Sequence, residues 1–205
     1  MSRFRRSAAA LAVACLAGCS GGGPDRSAAT DPAAPAADTI DAGQSAAAVL
    51  AADQAVHAAT VVDESHAVPV TLSGASASAT AGQGVTVDGS TVTITRAGTY
   101  RLGGALTDGQ IVVNAPDAAV ALILDGVQIT SSGTAAIAAT EVGVLVVALA
   151  ADSTNTLADA SSYAEGADVN AALFSAGDLT LTGAGELTVT GAGNDGIAST
   201  DGLLI

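Results

Sequence analysis

A repeat of 24 residues constrains the fold of this chain more than any other feature. Residues 170–181 (NAALFSAGDLTL) lie over residues 194–205 (NDGIASTDGLLI), with Asn170 on Asn194, Leu173 on Ile197, Ser175 on Ser199, Leu179 on Leu203 and Leu181 on Ile205. Residues 111–122 over 135–146 match at the same offset, placing Val113 on Ile137, Asp117 on Glu141, Val120 on Val144 and Leu122 on Val146. From Ile137 to Leu173 the spacing is 36, one repeat plus twelve residues, so an insertion is expected between Thr156 and Asn170.

A period of this length is too long for a nine-residue calcium roll and too short for a propeller blade. It suits one coil of a parallel β-helix, in which each strand pairs with its counterpart about 4.8 Å away in the next coil. Asp-Gly dipeptides at Asp88, Asp108, Asp125, Asp195 and Asp201 favour tight turns between short Val, Ile, Leu and Thr runs. No segment keeps an apolar stripe at helical spacing, so the fold class is all-β. Strand alternation turns Leu179, Leu181, Leu187 and Val189 inward and Thr180, Thr182, Thr188 and Thr190 outward. A β-sandwich is the alternative, since alternation and turns alone also allow it. Ile205 falls in mid-strand, at the position of Leu181, so the coil region 67–205 is expected to be the amino-terminal part of a longer domain.

The first 66 residues differ in character. Arg3, Arg5 and Arg6 precede an apolar run from Ala8 to Ala17, far shorter than the roughly 20 residues that cross a bilayer, and the run ends in Leu16-Ala17-Gly18-Cys19. This is a secretory signal. Its last four residues resemble the lipobox of bacterial lipoproteins, which implies acylation of Cys19 and an extracytoplasmic protein held at the cell surface by lipid. The other cysteine, Cys15, lies in the same peptide, so neither a disulfide nor a zinc-thiolate site is expected beyond it. Residues 20–66, rich in Ala, Gly, Ser, Pro and Asp, read as a flexible tether with room for one short alanine-rich helix over Ser45–Ala58. Its two histidines, His57 and His66, are expected to be exposed and not to bind metal.

Charge narrows the function. Residues 102–205 hold twelve acidic residues and no Lys, Arg or His, a formal charge of −12. Nucleic acid and anionic lipid are thereby excluded as direct partners of this stretch, because phosphate binding needs cationic side chains. Carboxylates one coil apart repel by about 1 kcal/mol even in water, and calcium, with its oxygen ligands, would relieve them. The densest oxygen supply is the insertion: Asp159, Glu165, Asp168 and Asn170, with Asn194 and Asp195 one coil on, are the candidate calcium ligands. The competing reading is a solvated acidic loop whose Asn170 and Asn194 form a side-chain ladder. Gly191-Ala192-Gly193-Asn194-Asp195 matches half of a calcium-roll nonapeptide, but only once and out of period.

Catalysis is not expected. The chain has no Asp-Asp pair, the coil region has no nucleophile-histidine pair, and Arg96 and Arg101 read as surface strand residues. Past the signal peptide the only aromatic side chains are Tyr100, Tyr163 and Phe174, too few for a stacking platform. Tyr163 is the candidate sugar contact, with packing of its own loop as the other reading, and Phe174 is expected to pack against the coil.

Three runs, VTVDGSTVTITRAGTYRLGGALTDGQIVVN, LILDGVQITSSGTAAI and NAALFSAGDLTLTGAGELTVTGAGNDGIASTDGLLI, carry a family resemblance. The sequence resembles bacterial carbohydrate-binding domain proteins related to a clostridial polygalacturonate-binding protein, over about residues 61–205. The resemblance implies a right-handed parallel β-helix similar to pectate lyases, bound calcium, and binding of acidic plant polysaccharide without known cleavage. This chain departs from the pattern where a lysine often follows the Phe-Ser turn: Ala176 stands there, and Thr200 in the next repeat. The carboxy-terminal coils of the pattern are also missing. The expected function is calcium-bridged binding of uronate-rich, pectin-like polysaccharide at the cell surface. A structural or adhesive stalk, and a polysaccharide lyase with catalytic coils beyond Ile205, are the alternatives.

Overall fold

A computed structural model describes residues 62–205, together with Ser45, Ala47 and Ala48. The expected signal peptide, with the expected lipidation site Cys19, and His57 and most of the expected tether lie outside the described residues.

The elements are thirteen β-strands: β1 Val68–Gly74, β2 Ala77–Ala79, β3 Val85–Asp88, β4 Thr91–Ile94, β5 Gly98–Leu106, β6 Gln110–Thr130, β7 Ile137–Leu149, β8 Thr154–Ala158, β9 Ala171–Ser175, β10 Asp178–Gly183, β11 Glu186–Thr190, β12 Asp195–Ser199 and β13 Leu203–Leu204. They form one mostly parallel sheet. Antiparallel pairing is confined to β1 with β2 and β3 with β4, so the two opposed antiparallel layers of a sandwich are not formed among the described residues.

Three parallel ladders run through the sheet. The first aligns Val68, Tyr100, Leu122, Val147 and Leu181. The second aligns Val92, Ile111, Ile137, Leu173 and Ile197. The third aligns Leu106, Ile129, Leu157 and Val189. From β4 onward the chain visits the ladders in the order second, first, third, and then begins again. Side chains of the same kind are thus stacked, and Leu122, Ile137, Leu157 and Leu173 are fully shielded from solvent within one cluster. Each such burial contributes about 1.5–3 kcal/mol.

The expected register holds at the end of the sheet and fails in the middle. Leu173 pairs with Ile197, Ser175 with Ser199 and Leu179 with Leu203, all at the 24-residue offset. Between β6 and β7, however, Ile111 rather than Val113 pairs with Ile137, Val120 pairs with Leu145, and Leu122 pairs with Val147. Two irregularities, between Val113 and Asn114 and between Ala115 and Ala119, absorb the extra residues, and Asp117 there has φ 56°. Asp117 therefore does not stack on Glu141, which pairs with Asn114. A slip of one residue exchanges the faces of a strand, which is why Val147 and not Val146 joins the central cluster.

The insertion is present as a strand-free segment, residues 159–170, between β8 and β9. Among the outward threonines, Thr182, Thr188 and Thr190 are exposed as expected, whereas Thr180 is buried between its neighbours Val146 and Leu204. Leu179 is buried, and Leu181, Leu187 and Val189 are half-buried.

Candidate functional site

The segment 159–170 is held at its root by Asp159. This carboxylate is only 6% exposed. Its Oδ1 accepts the Ala192 N–H at 2.6 Å and its Oδ2 accepts the Tyr163 hydroxyl at 2.7 Å. The main chain adds two clamps, the Asp159 N–H to the Thr190 carbonyl and the Ala160 N–H to the Thr134 carbonyl. The loop is thus tied both to the coil before it and to the coil after it.

Tyr163 is positioned by packing as well as by hydrogen bonding. A Cβ added at Gly193 would lie 2.9 Å from a Tyr163 ring carbon and 2.4 Å from the Ala160 carbonyl oxygen, so only glycine allows the turn to close on the ring. Desolvation first, then the Asp159 carboxylate, raises the Tyr163 phenol well above its ordinary pKa. The calcium-roll look-alike 191–195 therefore has a packing role.

Between this loop and the sheet lies a groove of about 590 Å³, lined by Tyr163 and Asp168 on one side and by Phe174, Thr134, Thr140 and Thr200 on the other. Phe174 pairs in register with Ala138 and Ala198, one residue out of step with the central Leu173. Its ring accordingly belongs to the outward face beneath the loop, where it is 5% exposed. The Thr200 hydroxyl donates to the Ala176 carbonyl and so binds the two turns together.

The six expected calcium ligands are not assembled. Both oxygens of Asp159 are taken up by the loop itself, Asp168 lines the groove, and Glu165 is exposed away from its lining. Among the described residues, no three of His, Cys, Asp and Glu stand close enough to hold one metal ion. Asn170 and Asn194 do not form a side-chain ladder either. The Asn170 carbonyl accepts the Asp195 N–H at 3.2 Å, while the Asn194 side-chain amide reaches Asp195 Oδ2 at 3.4 Å. Among the described residues the carboxylates of this loop are therefore not gathered as a group of three around one point.

The stacked carboxylates find other partners. Asp108 accepts from the N–H and hydroxyl of Ser132, and Asp178 Oδ1 accepts from Gly202 N, in each case 24 residues on. The Ser132 bonds hold the Asp108 carboxyl below its ordinary pKa. Asp125 is paired with Arg101 at 2.8 Å. Asp108 and Asp178 thus cap turns 24 residues on, with main-chain N–H groups supplying the positive end that a side chain would otherwise bring.

Tyr163 and Asp168 were visible in the sequence. Thr200 was noted only as a departure from the family pattern; Phe174 as an outward residue, with Thr134 and Thr140, was not singled out, although the parity of Phe174 against Leu173 carries the signal.

Residues 88–205 match the family described as carbohydrate-binding domain-containing protein. The chain belongs to this family. A carbohydrate-binding domain-containing protein of Acetivibrio thermocellus is 32% identical over 127 residues, covering 60% of this chain and 44% of that protein. A solved structure of a polysaccharide lyase-like protein from C. thermocellum, a gadolinium derivative, superposes with a TM-score of 0.65 at 31% identity, covering 67% of this chain and 57% of the other. The chain thus spans about half the length of the proteins it matches.

Proposed function

We propose that this carbohydrate-binding domain is a right-handed parallel β-helix that receives a glycan chain in the groove beneath residues 159–170. The observation that carries the proposal is the groove itself: about 590 Å³ beside a pinned loop, with threonine hydroxyls and an aromatic ring among its lining. Such a mixture suits a sugar, whose hydroxyls need partners and whose C–H faces need apolar contact.

The ligand we propose is uronate-rich, pectin-like polysaccharide, on the strength of the family resemblance. Polymer and protein are then both anionic, and calcium is proposed as the counter-ion accompanying the ligand. No ligand set among the described residues is assigned to it. The domain is read as a binding module, not an enzyme, because residues 102–205 carry no Lys, Arg or His to act as an elimination base. The signal sequence and Cys19 support export and anchoring to the cell envelope through lipid alone.

The test is a pull-down of the full chain on polygalacturonate and on neutral galactan, with calcium or EDTA, using the wild type and Ala176→Trp, since Ala176 also lines the groove and a larger side chain there would fill it. Binding that falls about tenfold in the Trp variant supports the proposal. Equal binding by both proteins overturns the groove assignment, and no binding to either polymer favours a structural stalk. Because the solved neighbour is described as polysaccharide lyase-like, release of unsaturated uronide is followed on the same material. Its appearance would overturn the binding-only reading.

A further inference from the structure

The chain has six cationic side chains besides histidine, all arginine, and only Arg96 and Arg101 lie in the coil region. Arg101 is engaged by two carboxylates, Glu64 at 2.7 Å and Asp125 at 2.8 Å. Arg96 has no ion-pair partner among the described residues.

The local fold holds Arg96 in place. Its side chain crosses Gly84, where a Cβ would lie 2.9 Å from Arg96 Nε, and Gly84 has φ +78°, which disfavours any larger residue. One guanidinium nitrogen donates to the Gly82 carbonyl, and the Arg96 carbonyl accepts the Tyr100 hydroxyl at 2.9 Å. Tyr100 is a buried member of the first ladder, so the arginine is anchored through its backbone as well as its head. A guanidinium carries five N–H donors in a planar fork, and most of them remain after the bond to Gly82.

Arg96 borders a groove of about 300 Å³ lined also by His66, Gln83, Thr99 and Tyr100, among others. A second hollow of about 350 Å³ shares His66 and Gln83 with it. Among the described residues, the two acidic residues that precede this groove in the chain, Asp63 and Glu64, are already occupied. Asp63 accepts the N–H and hydroxyl of Ser65 and stands 3.6 Å from His66 Nδ1, and Glu64 is held by Arg101.

We propose that this groove is a carboxylate-binding subsite, in which Arg96 receives the carboxylate of a uronate residue. The inference rests on the carbohydrate-binding reading above and goes beyond it by assigning a second groove, and a residue in it, to the carboxylate of the sugar. The chemistry is direct. A polyuronide is repelled by the −12 stretch from residue 102 onward, while the fork of an arginine matches a carboxylate with two parallel N–H···O bonds. A neutral galactan has no group that makes this pairing.

The full chain is titrated calorimetrically, in EDTA, with trigalacturonate and with a neutral galactan oligomer of equal length. Arg96→Gln, Arg96→Lys and Arg101→Gln are compared with the wild type, and Arg Nε–Hε resonances are followed in the wild type by NMR. The expected result is a loss of about tenfold or more in affinity for the uronide in Arg96→Gln and an intermediate loss in Arg96→Lys. Neutral binding stays unchanged, and the Arg96 resonance shifts on adding the uronide. Unaltered uronide affinity in a folded Arg96→Gln variant overturns the subsite. If that variant fails to fold, a wild-type Arg96 resonance unmoved by uronide overturns it instead. Wild-type binding to the neutral oligomer alone overturns the subsite and leaves the carbohydrate reading standing, whereas binding to neither oligomer overturns both.

Discussion

Tyr163 donates its hydroxyl to Asp159 Oδ2 at 2.7 Å, while Asp159 Oδ1 accepts the main chain of Ala192 in the next coil. One buried carboxylate therefore joins a loop, its own aromatic residue and the following turn. Asp159→Ala leaves a hydroxyl and an N–H without their acceptor. The expected cost is about 2–4 kcal/mol, read by urea denaturation, and Tyr163→Phe costs about 1 kcal/mol. A loss under half a kcal/mol in Asp159→Ala would mean that the loop is held by something else.

The raised Tyr163 pKa makes stability depend on alkali. A phenol whose folded pKa lies above its unfolded value contributes stability that is complete below the unfolded pKa, near about 10, and is lost as pH rises beyond it. Tyr100 is shifted upward too, chiefly by burial, and adds its own share. Melting temperature should fall above about pH 10, and less steeply in Tyr163→Phe.

Acid acts at the turn caps. The Asp108 carboxyl, depressed by its bonds to Ser132, contributes stability that is present above the ordinary carboxylate pKa and is lost as pH falls through the depressed value. Asp108→Asn should remove this part of the acid response while leaving the alkaline response intact. Thermal melts between pH 2 and 6 of both proteins provide the measurement.

Asn155 is completely buried, and each of its polar atoms has a partner. Its Oδ1 accepts Val127 N at 2.9 Å, and its Nδ2 donates to Ser153 Oγ at 2.9 Å and to the Glu186 carbonyl at 3.1 Å. Three successive passes of chain meet at one amide. Asn155→Ala strands a buried N–H and a carbonyl, so a loss of about 2–4 kcal/mol is expected on chemical denaturation. Asn155→Leu should be no better, because shape is restored and the partners are not.

Gly177 separates crowding from backbone strain. A Cβ there would stand 2.3 Å from the Val142 carbonyl oxygen, whereas one at Gly126 meets open space at φ +71°. Gly177→Ala must push two passes of chain apart and should cost more than about 3 kcal/mol, while Gly126→Ala costs about 1. Comparable melting temperatures for the two variants would contradict the close approach.

Chelation tests whether metal belongs to the free protein. With Asp108, Asp159 and Asp178 satisfied by N–H and hydroxyl donors, EDTA should leave the melting temperature of the unliganded chain unchanged. A calcium site filled at about 100 times its Kd would instead contribute about 2.7 kcal/mol, and its removal would be plain in the melt.

Much of the fold was legible because apolar residues recur at a spacing that only stacked strands can bury together. Leu173 over Ile197 and Leu179 over Leu203 follow from counting alone. The middle register was not, since the irregularities around Ala115–Ala119 add residues without leaving any mark in residue type. At the candidate site, composition pointed to the loop and to Tyr163 and Asp168. It could not separate a carboxylate that binds an ion from one that accepts an N–H, because the two roles use the same oxygens.

The sequence by itself determined that the coil region is all-β, that its strands recur in register near the end, that twelve residues are inserted before Asn170, and that residues 102–205 are acidic without a basic side chain. Those properties are sums and periods, and they survive whatever the chain does elsewhere. Only the tertiary structure decided that Asp159 turns inward, that Phe174 faces the groove, and that Arg96, without an ion-pair partner among the described residues, borders a hollow. Each depends on which donor or surface arrives from a distant part of the chain, and no local pattern carries that distance.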